Sequence, residues 1–240
     1  MNASFETVLR LGDNSLVLGQ RLAEWLGHAP ILEEDIASAN IALDLVGQAR
    51  LWLSHAGRIE GRGRDEDALA YLREDHEFRN CTLVELPNGD FAATIVRRVL
   101  FDAYQCILLA RLAAAPDSDV AAIAAKSKKE ADYHRRHSAE WAIRLGDGTE
   151  ESHRRSQVAL DALWKYTHEL FTPDAVEPAA AELRDPWLAD VRAIFDEATL
   201  KIPADGNFVS QGRQGVHSEH LGYLLAEMQV LHRAHPEAKW

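Results

Sequence analysis

Residues 37–53 read ASANIALDLVGQARLWL, and this stretch decides the fold. Most of its residues are apolar, and its central polar side chains, Asn40, Asp44 and Gln48, recur every four residues. Because residues four apart lie on one face of an α-helix, the three form a single polar stripe. A helix that is apolar on its other sides is normally buried on those sides. The stretch therefore predicts a helix inside an all-α bundle.

The polar stripe has two interpretations. It can be a solvent-facing stripe, as on most amphipathic helices. Solvated faces usually carry several Lys, Glu and Arg residues, whereas this stripe is short and has one charge, Asp44. A buried carboxylate needs hydrogen-bond donors, which Asn and Gln supply. This favours a polar network inside the bundle or at a subunit interface.

Helical patterns continue along the whole chain. Asp13 and Asn14 are predicted to start the first helix, Asp90 to cap the third, and the Asp185–Pro186 pair to open the sixth. No segment shows convincing strand alternation. The fold class is thus predicted as all-α, in one domain spanning 1–240. The predicted helices cover residues 13–27, 33–57, 66–79, 90–115, a stretch after 116–119 that ends at 146, then 150–171, 185–200 and 216–234.

Composition narrows the class of protein. The formal net charge of -12 argues against nucleic acid and against anionic membranes as partners. No apolar run approaches the roughly 18 residues that a membrane-spanning helix needs, and the N-terminus lacks the features of a signal peptide. Cys81 and Cys106 lie among apolar residues and are predicted to be reduced core thiols. Together these features predict a cytoplasmic protein.

Two acidic residues occupy positions where a helical bundle that binds two iron ions would carry a Glu-x-x-His motif. Such bundles use a Glu from each of two helices and a Glu-x-x-His from each of the other two. Three residues after Asp44 stands Gly47, and three residues after Glu130 stands Tyr133. The scaffold pattern is present and the metal ligands are missing. The sequence therefore predicts a protein that assists an oxygenase without being one.

A bundle that lost its metals would retain buried acids that need a positive charge nearby. Arg98, Lys126 and a protonated His134 are the candidate cations, because each lies four residues from an acid. The alternative is that these are ordinary solvated helix pairs, which contribute little. On the first interpretation the vestigial metal-site positions are Glu24, Asp44, Gln48, Asp102, Glu130 and His134.

Two other groups of residues contain metal-ligating side chains. Glu150 and His153 form the one Glu-x-x-His motif, but it begins a predicted helix, where acids stabilise the N-terminus. In the last helix His217, His220 and Glu227 can approach one side, which makes a zinc site conceivable. No second ligand cluster supports it. We therefore predict that this chain holds no metal, no cofactor and no catalytic residue.

Long blocks of the sequence resemble a known family. The C subunits of bacterial ring-1,2-phenylacetyl-CoA epoxidases, multicomponent monooxygenases of phenylacetate catabolism, are similar to this chain from about Leu9 to Trp240. The blocks are LRLGDNSLVLGQRLAEWLGHAPILEEDIASANIALDLVGQAR at 9–50, VELPNGDFAATIVRR at 84–98, KEADYHRRHSAEW at 129–141, RLGDGTEES at 144–152 and GVHSEHLGYLLAEMQ at 215–229.

The resemblance implies a ferritin-like bundle with additional helices and a non-catalytic role. It implies a homologous A subunit that holds the di-iron site and the CoA thioester, in an assembly of two heterodimers. It further implies a small B subunit and a reductase that carries flavin and an iron–sulfur cluster and takes electrons from NADPH. The epoxidase product is the ring 1,2-epoxide of phenylacetyl-CoA.

Two other function classes remain as alternatives: an autonomous di-iron oxidase or iron-binding protein, and an unrelated helical interaction module. The second helix is apolar on many sides, and the last helix carries Leu221, Leu224, Leu225 and Met228. Part of this apolar surface is predicted to meet the A subunit. When the chain is alone, the same surface could support self-association.

Overall fold

The computed structural model describes residues 4–235 and residue 238. The described residues contain α-helices, short 3-10 turns and no strand, so the predicted all-α fold class is confirmed. Their contacts group into two compact units: Asn88–Ser210, and the described residues up to Pro87 together with those from Gln211. The prediction of one domain over 1–240 stays a prediction. The α-helices are α1 Phe5–Ala23, α2 Leu32–Glu60, α3 Glu66–Tyr71, α4 Thr82–Glu85, α5 Phe91–Leu112, α6 Ser118–Gly146, α7 Glu150–Leu163, α8 His168–Phe171, α9 Arg184–Glu197 and α10 Glu219–Ala234.

The first helix begins eight residues earlier than predicted. Ser4 caps α1, its side chain accepting a hydrogen bond from the backbone N–H of Thr7. Asp13 and Asn14 were wrongly predicted to start the helix, because they are buried within it. Their side chains accept hydrogen bonds from other segments: Asp13 from the Arg73 guanidinium, and Asn14 from the backbone N–H of Cys81 at 2.8 Å. These cap-forming residue types serve tertiary contacts here.

Helix α2 matches its prediction closely and packs along α1. Acidic residues fill its first turn, and Gly61 ends it with φ at +69°, a left-handed conformation that glycine adopts without strain. The two helices approach closely. A Cβ atom added at Gly12 of α1 would lie 2.7 Å from the Leu53 side chain, so a larger residue there would force Leu53 to shift.

Helix α3 ends at Tyr71, whereas the predicted helix covered residues 66–79. Arg73 turns inward, where its guanidinium donates to the backbone carbonyls of Leu69 and Glu77 and to the Asp13 carboxylate. A single 3-10 turn at Asp75–Glu77 follows. The helix therefore ends close to the residue, Arg73, that forms the buried ion pair with Asp13.

The unit Asn88–Ser210 is built around α5 packed on α6. Asp90 caps α5 as predicted, and Asp117 caps α6, which ends at Gly146 as predicted. The predicted helix over 150–171 is instead α7, a 3-10 turn and α8. Its interruption coincides with Trp164, whose indole N–H reaches the Asp205 carboxylate at 3.1 Å. The sixth predicted helix, α9, starts at Arg184, one residue before the predicted Asp185–Pro186 cap.

Both cysteines are free and buried, as the sequence predicts. Burial is the main cause that raises the pKa of the Cys106 thiol, and Asp102 adds to it. Cys106 is therefore a neutral thiol at physiological pH. Among the described residues, no helix is long and apolar enough to cross a membrane.

Candidate functional site

The predicted vestigial positions on α1 and α2 differ in their exposure. Asn40 is exposed, Asp44 is half-buried and Gln48 is buried, so the stripe turns inward towards its C-terminal end. Glu24, which follows α1, is partly exposed, and both of its carboxylate oxygens lie 2.9 Å from Nη1 of Arg21. Of the vestigial positions Glu24, Asp44 and Gln48, therefore, only Gln48 is buried.

Position 47, which the sequence analysis compares with a histidine position of di-iron bundles, is open. Apart from its chain neighbours and the backbone of its own helix, a Cβ atom built on Gly47 would meet no atom of the described residues within 4 Å. The equivalent position in α6 is Tyr133, whose side chain is partly exposed and lies against the guanidinium of Arg136. Neither residue is a metal ligand of the di-iron type.

A buried cluster joins α5 to α6 within the unit Asn88–Ser210. The Arg98 guanidinium lies 3.4 Å from Oδ2 of Asp102 and donates to the backbone carbonyl of His134 at 3.2 Å. Ser138 donates its hydroxyl to the same Asp102 oxygen at 2.9 Å. Arg98 and Asp102 are both almost fully buried. Arg98 thus neutralises the Asp102 carboxylate, and the Ser138 hydroxyl donates a hydrogen bond to it.

Arg98 also identifies a histidine that the sequence analysis missed. Its Nη1 lies 3.1 Å from Nδ1 of His137. Because a guanidinium only donates, Nδ1 must be the acceptor, and the proton of neutral His137 lies on Nε2. The spacing of His137, four residues after Tyr133 and three after His134, was the available signal.

The two other candidate cations, Lys126 and His134, lie in different environments from Arg98. Lys126 is exposed, and His134 is buried. Burial lowers the pKa of His134 to about 4; Asp102 opposes this, while Arg98 and His137 lower it further. We therefore expect His134 to be neutral at physiological pH, in contrast to the protonated state considered in the sequence analysis. Glu130 is half-buried on the same helix.

Glu150 of the Glu-x-x-His motif lies in the first turn of α7, as predicted, beside Glu151. Glu151 binds Arg154 and Arg155, and these hydrogen bonds lower its pKa to about 2. The His153 ring bonds the carbonyl of Gly146 through Nδ1 at 2.8 Å. The His153 ring is thus used to join the end of α6 to the start of α7.

The histidines near α10 do not form the conceivable zinc site. Nδ1 of His217 lies 2.7 Å from Oε2 of Glu85, and its Nε2 lies 3.1 Å from the carbonyl of Phe78. Glu227 is exposed. Glu85 also accepts from the backbone N–H of Ser218 at 2.7 Å, so this buried pair holds the start of α10. Among residues 4–235 and 238, no group of three His, Cys, Asp or Glu residues is placed to hold a metal ion.

Comparison with known proteins decides the family. The chain matches the family described as "Phenylacetic acid catabolic protein" over residues 1–240. The chain belongs to this family. It is 49% identical over 249 residues, covering 100% of both chains, to the C subunit of the 1,2-phenylacetyl-CoA epoxidase of Escherichia coli (strain K12). The family resemblance and the all-α, ferritin-like fold class predicted from the sequence are therefore confirmed.

Proposed function

We propose that this chain is the non-catalytic scaffold subunit of a phenylacetyl-CoA 1,2-epoxidase in aerobic phenylacetate catabolism. The Escherichia coli relative, which is similar along its whole length, supports this assignment. In this role the chain pairs with and supports a catalytic A subunit that carries the di-iron centre. A small B subunit and a flavin- and iron–sulfur-containing reductase complete the enzyme, and the assembly acts in the cytoplasm.

The observation that carries the non-catalytic role is the buried Arg98–Asp102 pair. A carboxylate that ligates iron must present its oxygens to the metal, whereas Oδ2 of Asp102 faces Arg98 and the Ser138 hydroxyl. A guanidinium is a permanent cation and supplies the charge that a buried carboxylate requires. With Gly47 and Tyr133 at the two histidine positions, the residues present do not fit a di-iron centre. The catalytic chemistry is accordingly assigned to the partner.

The first test is metal content. We expect the isolated chain, expressed in iron-rich medium, to contain well under one iron ion per chain by elemental analysis, and to oxygenate no substrate. The purified A subunit, analysed in the same way, is the control for iron loading. About two iron ions per chain in this protein would instead support the alternative, an autonomous di-iron oxidase.

The second test is assembly. We expect this chain to co-elute with a co-expressed A subunit as a complex of two heterodimers, because obligate helical interfaces commonly bury over about 2,000 Å². Light scattering on the eluted peak gives the stoichiometry. Alone, the chain should migrate as a dimer or larger, and the A subunit should displace that self-contact. A monodisperse monomer that fails to co-elute would contradict the partner assignment.

A further inference from the structure

The segment that leads into α5 contains the dipeptide Asn88–Gly89. Of the asparagines in this chain, only Asn88 is followed by glycine. Gly89 is exposed and Asn88 is half-buried, so solvent reaches the pair. The backbone nitrogen that follows an asparagine can attack the side-chain amide and close a five-membered succinimide ring. The dipeptide therefore places a nucleophile and an electrophile within one ring closure.

The backbone nitrogen of Gly89 is available for this attack. Gly89 has no side chain to block the approach. Within the part of the chain that the structure describes, its N–H donates to no acceptor. The buried Thr94 donates its hydroxyl to the backbone carbonyl of Asn88 at 3.0 Å. Because this carbonyl and the Gly89 nitrogen share one peptide group, the hydrogen bond withdraws electron density from the nitrogen and makes its proton easier to remove.

The local backbone keeps the glycine in place. Gly89 has φ at +64°, in the left-handed region that side chains rarely adopt. A Cβ atom added there would also lie 3.0 Å from the Cβ atom of Ala93, in the first turn of α5. The fold thus requires a glycine after Asn88, and this requirement preserves the reactive dipeptide.

The side-chain amide of Asn88 is held against a buried cation. Nη2 of Arg97 donates a hydrogen bond to Oδ1 of Asn88, and Arg97 is 1% exposed. A guanidinium only donates, so the amide oxygen faces it and the amide nitrogen does not. The charge-assisted bond polarises the Cγ–Oδ1 carbonyl and stabilises the negative charge that develops on Oδ1 when Cγ is attacked. Arg97 is thus placed to activate the electrophile.

We propose that Asn88 is a site of spontaneous deamidation in the folded chain, and that Arg97 directs the product to aspartate. The Gly89 nitrogen loses its proton and bonds to Cγ of Asn88. The bond between Cγ and Nδ2 breaks, and Nδ2 leaves with that proton as ammonia. Water then adds to one carbonyl of the succinimide, the bond from that carbonyl to the ring nitrogen breaks, and the nitrogen regains a proton. One water is consumed, one ammonia is released and nothing is oxidised.

The choice between the two ring carbonyls decides the product. The carbonyl derived from the side chain faces the Arg97 cation, whereas the backbone carbonyl faces the neutral Thr94 hydroxyl. Charged donors polarise a carbonyl more strongly than neutral ones, so water adds at Cγ and restores the normal backbone. The resulting carboxylate at position 88 lies against Arg97, which gives this buried guanidinium an opposite charge. In an unfolded chain these donors are absent, and water adds mainly to the backbone carbonyl, which gives isoaspartate.

The experiment compares the folded full chain with the same chain unfolded in guanidinium chloride, both incubated at pH 8. Peptide mapping by mass spectrometry follows the conversion of Asn88, and electron-transfer fragmentation distinguishes aspartate from isoaspartate. We expect mainly aspartate at position 88 in the folded chain and mainly isoaspartate in the unfolded one. Asn207 is the internal control, because it is exposed and is followed by the bulky Phe208. It should stay unconverted in the folded chain over the same incubation.

Two variants test the assigned roles. Arg97→Gln removes the cation and, in a chain that far-UV circular dichroism shows to be folded, should slow the conversion of Asn88 at least about 10-fold. Asn88→Gln is the matched control, since its longer side chain would need a six-membered ring, and it should show no conversion at position 88 in this time.

The wild-type comparison is decisive even if Arg97→Gln does not fold. An Asn88 that stays intact in the folded chain, over a time that converts the unfolded chain, would overturn the proposal. Isoaspartate as the main product in the folded chain would overturn the role of Arg97. Both results are read from this chain alone and leave the proposed function untouched.

Discussion

Replacing Arg98 by alanine is expected to lower the free energy of unfolding by about 3 kcal/mol. The substitution removes the cation that neutralises Asp102 and leaves that carboxylate buried with the Ser138 hydroxyl. It also removes donors to the His134 carbonyl and the His137 ring. Urea unfolding at pH 7.5, followed by far-UV circular dichroism, measures the loss.

Two controls separate the buried charge from ordinary truncation. Lys128→Ala removes a partly exposed pair with Asp132 on the surface of α6 and should cost well under 1 kcal/mol. The second control combines Arg98→Ala with Asp102→Asn. The double variant should lose at least about 1 kcal/mol less than the sum of the single losses, because the unpaired charge is gone. An unfolding midpoint unchanged by Arg98→Ala would show that the pair behaves as a solvated one.

Acidification from pH 7 to pH 5 is expected to cost this protein about 2 kcal/mol through His134 alone. The folded state holds the pKa of His134 at about 4, whereas the unfolded chain has the ordinary value of 6.5. Between these values the unfolded state binds more protons, so stability falls as the pH falls. The contribution is complete above about pH 7 and is exhausted below about pH 4, with a total of about 3 kcal/mol.

The measurement compares wild type with His134→Gln by urea unfolding at pH 7 and pH 5. Other groups titrate in both proteins. The informative quantity is therefore the loss of unfolding free energy from pH 7 to pH 5 in wild type minus the same loss in His134→Gln. Glutamine keeps a polar side chain of similar size and does not titrate in this range. His134→Gln should lose about 2 kcal/mol less than wild type on acidification. Equal losses would contradict a buried, neutral His134.

The helix boundaries show where local sequence was sufficient. Asp90 was predicted as a cap, and its side chain accepts from the backbone N–H of Ala93 at 2.9 Å. Asp13 and Asn14 carry the same signal, yet they lie inside α1. A cap is a contact within one turn of helix, which neighbouring residues specify. The partners of Asp13 and Asn14 are 60 or more residues away in sequence, and nothing local distinguishes the two cases.

The buried cluster was predicted in part. The four-residue spacing of Arg98 and Asp102 identified the pair, but Lys126, Glu130 and His134 have the same spacing on α6. In the structure Arg98 is buried and Lys126 is exposed. Burial also separates residues of similar spacing on α10: of the apolar surface of which part was predicted to meet another subunit, Leu221, Leu224 and Leu225 are buried within the chain. The interpretation of six positions as a vestigial metal site stays a prediction.

The sequence by itself determined the helical class, the family and the presence of Gly47 and Tyr133 three residues after Asp44 and Glu130, because periodicity and residue identity are local properties. Only the tertiary structure decided which charges are buried and what each one binds. Arg98 reaches His137 and the His134 carbonyl because α5 packs on α6. Glu85 meets His217 although 132 residues separate them. Burial and long-range hydrogen bonds depend on how helices pack, and identical spacings along a helix do not encode that packing.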